Sequence, residues 1–210
     1  MNLIDKIKLY LYALFVEHSI LNIFWKNFHK VDEGVYRSAQ MNPYTLKEYI
    51  KKYNLKTVIT FRQDIEKSPL SVLEKEVCKE MNVNFVRIGL TSRRLPKKEK
   101  LIELKEAFKK YPKPMLMHCK AGSDRTSLAS FLYLYWNGKI EKAKKQFSFW
   151  RFGHIKNSKA GIIDYCAEKF LESGEKDIIK WCEENREKLQ KEFKPKGFWS
   201  FVNDKVLGRE

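Results

Sequence analysis

Cys119 and Arg125 stand at the two ends of the run Lys120-Ala121-Gly122-Ser123-Asp124, a length of chain that can wrap one tetrahedral oxyanion. A thiol paired with a guanidinium points to nucleophilic chemistry on that anion. The guanidinium grips two oxygens and neutralises charge, and the thiolate attacks the central atom. Lysine could not copy the planar fork of Arg125. Gly122 supplies what a tight loop needs, a positive φ or close backbone approach. His118 before the cysteine and Thr126 after the arginine can set the loop geometry and the surroundings of the thiolate.

Such a loop needs a strand before it and a helix after it. Pro114-Met115-Leu116-Met117 is short and apolar and reads as a buried strand over Met115–His118. Leu128-Ala129-Ser130-Phe131-Leu132-Tyr133-Leu134-Tyr135-Trp136 is longer and reads as a core helix. Cys119 then falls at a strand end and Arg125 at a helix start, where unpaired N–H groups and the helix dipole favour an anion and a thiolate. Upstream, the spacing predicts a strand or hairpin at Gly34–Ser38 and a helix from the capping-box pair Thr45/Glu48 to Tyr53. It then predicts a strand at Thr57–Phe61, a helix from Ser68-Pro69 to Met81, a strand at Asn84–Leu90 and a helix from Pro96 to Lys110. Downstream the pattern is helical over Ile140–Phe149, Gly161–Leu171 and Asp177–Lys191, with an aromatic tail from Phe193. Strands alternating with helices predict an α/β fold with a mostly parallel central sheet flanked by helices, and extra helices at both termini.

Hydrophobic residues make up 43% and aromatic residues 14% of the 210, which excludes a disordered chain. The net charge of +16 predicts attraction to polyanions, or else marks a lysine-rich solvated surface. The basic residues are scattered among glutamates with no finger motif, so no specific nucleic-acid partner is expected. Cys78, Cys119, Cys166 and Cys182 form no CxxC pair, which argues against a disulfide framework or zinc site and for a reducing, cytoplasmic setting. Near the N-terminus, Lys6 and Lys8 precede the apolar run Leu9–Val16, but Glu17 and His18 occupy the place of a cleavage site. The run is too short to span a membrane. Residues 1–28 read as an amphipathic helical segment that packs on the body or rests on an anionic membrane at its inner face.

His-Cys-x5-Arg-Thr resembles the signature of the cysteine-dependent protein tyrosine phosphatase superfamily, in its dual-specificity-like branch. Val31-Asp32-Glu33-Gly34-Val35-Tyr36-Arg37-Ser38-Ala39-Gln40 resembles the opening of bacterial and fungal members, and Leu55-Lys56-Thr57-Val58-Ile59-Thr60-Phe61-Arg62 their first core strand. The resemblance covers about residues 29–170. It implies a phosphatase domain over 29–175 and a helical extension over 176–210 packed on it. It also implies Cys119 as nucleophile, Arg125 and the amides of Lys120 through Arg125 as phosphate ligands, and a Thr126 hydroxyl that stabilises the departing thiolate. No metal or cofactor is expected.

The substrate left open is a phosphorylated protein or a phosphoinositide or inositol phosphate. A non-catalytic phosphate-binding module or membrane-surface adaptor is the alternative of a different class. One departure stands out: Ile88–Pro96, where relatives carry an acidic residue for proton donation, has no carboxylate. Asp124 inside the loop and Asp64 after the first core strand are the two replacements. Aspartate directly before the arginine is similar to the loops of myotubularin-like and other phosphoinositide-active members. Cys-Lys-Ala-Gly resembles the loop start of phosphoinositide 3-phosphatases, with Ser123 in place of their second lysine; Lys120 is thus a candidate contact to a second phosphate. Arg93 and Arg94 rim the pocket or are solvated. Phe152-Gly153-His154 reads as a turn that packs near the loop.

Overall fold

Four short runs of β-branched and apolar residues form the parallel part of one five-stranded sheet in the computed structural model, which describes residues 25–63, 66 and 68–201. The strands are β1 (His29–Asp32), β2 (Val35–Ser38), β3 (Thr57–Thr60), β4 (Asn84–Arg87) and β5 (Met115–His118). Their order is β1-β2-β5-β3-β4, with β1 antiparallel to β2 and every other pair parallel. The fold is α/β with a mostly parallel sheet, as expected. β5 lies in the middle and is buried throughout, which is why it reads as an unbroken apolar run. Its last residue, His118, pairs in register with Ser38 of β2 and Thr60 of β3. Three parallel strands therefore end level, and the loops that follow them leave from one edge.

The described chain clusters into two compact units, Met1–Gly89 with Tyr111–Gly122 and Leu90–Lys110 with Ser123–Glu210. The first holds the sheet with α1 (Pro43–Tyr53) and α2 (Pro69–Glu80). α1 starts earlier than the Thr45/Glu48 pattern suggests. Asn42 is its cap, with Oδ1 accepting from Thr45 N at 2.9 Å, and Pro43 occupies the first turn. α2 begins at the expected Ser68-Pro69. Leu46 and Ile50 of α1, Val77 and Cys78 of α2, Val58 and Leu116 form the core of this unit. Burial pushes the Cys78 thiol well above its ordinary value, so it behaves as an inert apolar group.

The second unit is helical: α3 (Lys98–Lys110), α4 (Asp124–Trp136), α5 (Ile140–Lys144), α6 (Phe149–Phe152), α7 (Ile162–Ser173), α8 (Ile178–Glu192) and α9 (Gly197–Phe201). α4 is buried from Thr126 through Leu134, as its all-round apolar sequence demands. The helix expected over 140–149 stops at Lys144. Ser148 caps a separate short helix, its Oγ accepting from Arg151 N at 3.2 Å. α8 belongs to this unit: Gln190 Oε1 accepts from Leu95 N and Arg186 Nε donates to Leu95 O. The proposed N-terminal amphipathic helix falls almost wholly in residues 1–24, outside the described residues, as does Asp64. Among the described residues no helix is long and apolar enough to cross a membrane.

Candidate active site

Cys119 directly follows β5 and is 3% exposed. Beyond it the chain is held from behind by three successive carbonyls. Lys120 O accepts from Gln40 N at 3.0 Å, Ala121 O from Asn27 Nδ2 at 3.0 Å, and Gly122 O from Arg37 Nη2 at 2.7 Å. A trans peptide sets its N–H opposite its C=O. The amides of Ala121, Gly122 and Ser123 therefore face the other way, as a row of donors suited to an anion. Gly122 meets both demands made of it. Its φ is +71°, and a Cβ there would lie 2.5 Å from Ser38 O and 2.6 Å from Ala39 N.

The holding residues form a buried network. Arg37 is fully buried on β2, in register with Met117. Gln40 Nε2 donates to Glu74 Oε2 at 2.9 Å and to Ser71 Oγ at 3.0 Å, and its Oε1 accepts from Arg62 Nη1 at 2.5 Å. Glu74 Oε1 lies 2.8 Å from His118 Nε2, with both side chains 1% exposed. His118 Nδ1 is 3.1 Å from Cys119 O, and because a carbonyl only accepts, Nδ1 carries a proton and donates it. His118 thus fixes the carbonyl of the cysteine and is itself fixed by α2. Arg37, Gln40 and Arg62 stand in the segments that carry the family resemblance, but their spacing alone assigns them no task. Asn27 and Glu74 carry no local signal at all, since only the level ends of β2, β3 and β5 bring them to the loop.

The chain enters the second unit at Ser123, and α4 begins with Asp124, Arg125 and Thr126 in its first turn. Ser123 Oγ, Arg125 Nε and Thr126 Oγ1 are buried without a hydrogen-bond partner among the described residues. Three polar atoms orphaned in one turn fit a site that meets a polar ligand. Asp124 is 5% exposed, with Oδ1 2.7 Å from His154 Nδ1. His154 is wholly buried, and its Nε2 lies 2.7 Å from Asp164 Oδ1 on α7. Burial alone would push the imidazole down, but the hydrogen bonds and charges of Asp124 and Asp164 outweigh it and raise His154 to about 9. The ring is therefore a cation at neutral pH. Arg93 and Arg94 are exposed in this unit.

A family model described by inositol hexakisphosphate, that of the protein tyrosine phosphatase-like phytases, matches residues 31–134. Comparison with curated proteins gives no sequence match. Among solved structures the chain is similar to TpbA of P. aeruginosa, at 21% identity and a TM-score of 0.52, covering 76% of this chain and 91% of that one. It is similar to the core catalytic domain of the PP-IP phosphatase Siw14 of S. cerevisiae, at 18% identity and a TM-score of 0.55, covering 77% and 93%. It is also similar to a DUF442 protein of Shewanella putrefaciens, at 17% identity and a TM-score of 0.55, covering 73% and 97%. With the Cys119–Arg125 segment between a central strand and a buried helix, the family model over residues 31–134 and the shared fold, the chain is similar to the cysteine-dependent protein tyrosine phosphatase-like superfamily.

Proposed function

We propose that the chain is a phosphatase that hydrolyses phosphate monoesters through a cysteinyl-phosphate intermediate on Cys119. The observation that carries this reading is the anchoring of three successive loop carbonyls by Gln40, Asn27 and Arg37, which presents the opposite amides as a preformed oxyanion cradle. The Cys119 thiolate attacks phosphorus, a P–S bond forms, the ester P–O bond breaks and the departing oxygen takes a proton. Arg125 follows the equatorial oxygens into the transition state. Water then attacks the phosphocysteine and the thiolate leaves, stabilised by the Thr126 hydroxyl. Asp124 supplies the proton in the first step and recovers it in the second.

The substrate class this reading favours is an inositol phosphate. Three features support it: the family model is described by inositol hexakisphosphate, the chain carries a net charge of +16, and Lys120 sits within the loop. A phosphotyrosyl protein is the second reading, supported by the likeness to TpbA, a variant of which was solved in complex with pTyr. A phosphate-release panel of inositol phosphates, phosphoinositides in anionic vesicles and phosphopeptides separates them, with Cys119→Ser as the blank. Turnover of inositol hexakisphosphate well above any phosphopeptide is expected. A Cys119→Ser protein as active as wild type would refute the mechanism.

A further inference from the structure

His154 is the one buried histidine in the second unit whose two ring nitrogens both meet carboxylates, and the phosphatase reading gives one of those carboxylates a task. A buried neutral imidazole needs only one acceptor and one donor, and a main-chain carbonyl and a main-chain N–H would satisfy it. Here the partners are Asp124 at the start of α4 and Asp164 on α7, 5% and 3% exposed. With both carboxyls ionised, one cation between two anions would leave a net negative charge buried beside Arg125, and a proton on Asp124 relieves it.

We propose that His154, held by Asp164, is the positioning residue of the loop's own acid. It fixes Asp124 through Oδ1 and stabilises the carboxylate that remains after the proton has gone. This rests on the phosphatase reading above. With Oδ1 committed to Nδ1–H of His154, Oδ2 is the atom that carries the transferable proton. In the first step the Oδ2–H bond breaks as the substrate oxygen leaves phosphorus and takes that proton. Asp124 becomes a carboxylate paired with the imidazolium. In the second step water returns a proton to Oδ2, its hydroxide bonds to phosphorus, and the P–S bond breaks to restore the Cys119 thiolate.

The groups around the ring agree with this role. Asp124 faces it from α4 and Asp164 from α7. Lys156 Nζ lies 3.7 Å from Asp164 Oδ2 and 2.6 Å from Glu168 Oε1, so the far carboxylate is partly balanced at the surface. The Phe147 ring packs 5.4 Å from the imidazole and adds no charge. The near carboxylate, Asp124, therefore draws its ring-side stabilisation from His154.

The test compares wild type with His154→Asn and Asp164→Asn, after melting curves show which variants fold. Asp164→Asn keeps an oxygen acceptor for Nε2–H and so removes the charge while keeping a partner. The pH profile of kcat/KM is measured with aryl phosphates of good and poor leaving groups. Without the imidazolium, Asp124 holds its proton to higher pH, so the basic limb moves up by about one pH unit. Poor leaving groups lose about tenfold more rate than good ones. A uniform loss with the wild-type profile and leaving-group ratio in both variants overturns the role. Ring ¹⁵N spectra of Cys119→Ser give a readout independent of turnover: an imidazolium at pH 8 is expected, and a neutral His154 ring overturns the proposal. Absence of phosphate release by wild type refutes the phosphatase reading itself, whereas release with unchanged variant profiles refutes the positioning role alone.

Discussion

Gly122 carries two constraints at one Cα, a positive φ and van der Waals contact with Ser38 and Ala39. An L side chain at such a φ costs about 1–2 kcal/mol, and the added Cβ also collides with main chain, which cannot rotate away. Gly122→Ala is expected to fold with a lowered melting temperature and to release phosphate at a rate near that of Cys119→Ser. Kinetics beside a thermal melt would check this, and wild-type activity would contradict it. Arg37 acts on the same peptide. Arg37→Met keeps the buried stem but leaves Gly122 O without its donor, a loss of about 1–3 kcal/mol. His154 gives a residue-level pH signature. Its folded value, about 9, lies above the ordinary 6.5, so its contribution to stability is complete below about 6.5 and is lost as pH rises through about 9. Denaturation midpoints of wild type should fall across that window, and those of His154→Asn should fall less.

At the scale of elements, the site depends on what stands behind β5. α2 delivers Glu74 to His118 and Gln40, and the pair is wholly removed from water. Removing Glu74 takes an acceptor from the buried Gln40 amide, which costs about 1–3 kcal/mol. Glu74→Ala is therefore expected to be among the more damaging single changes in the first unit, read as a drop in the urea midpoint at constant slope. A loss below about 1 kcal/mol would show that the pair is not held as described. These elements were unevenly legible. Continuous apolar character marked β5 and α4, and Ser68-Pro69 marked the start of α2, since each is a local property. The break between α5 and α6 was not legible. Ser148 is polar and ambiguous in sequence, and only its bond to Arg151 N shows it opening a second helix.

The whole molecule adds a field. A net charge of +16 attracts multiply charged anions from a distance, and salt screens that attraction. Between roughly 50 and 500 mM salt, KM for inositol hexakisphosphate should rise about tenfold while KM for a singly phosphorylated aryl ester changes about threefold or less. Equal salt dependence would count against the polyanion reading. Lys120→Ala should narrow the gap between the two substrates without changing kcat for the aryl ester more than about threefold. The sequence by itself determined the α/β class and singled out the proposed nucleophile, the arginine proposed to grip phosphate and the loop between them. Those features sit within one contiguous segment whose local chemistry is self-sufficient. Only the tertiary structure decided what holds the loop and what holds Asp124. Asn27, Arg37, Gln40 and Glu74 reach the loop through strand register, and His154 and Asp164 reach Asp124 through helix packing, from positions tens of residues away where no spacing rule applies.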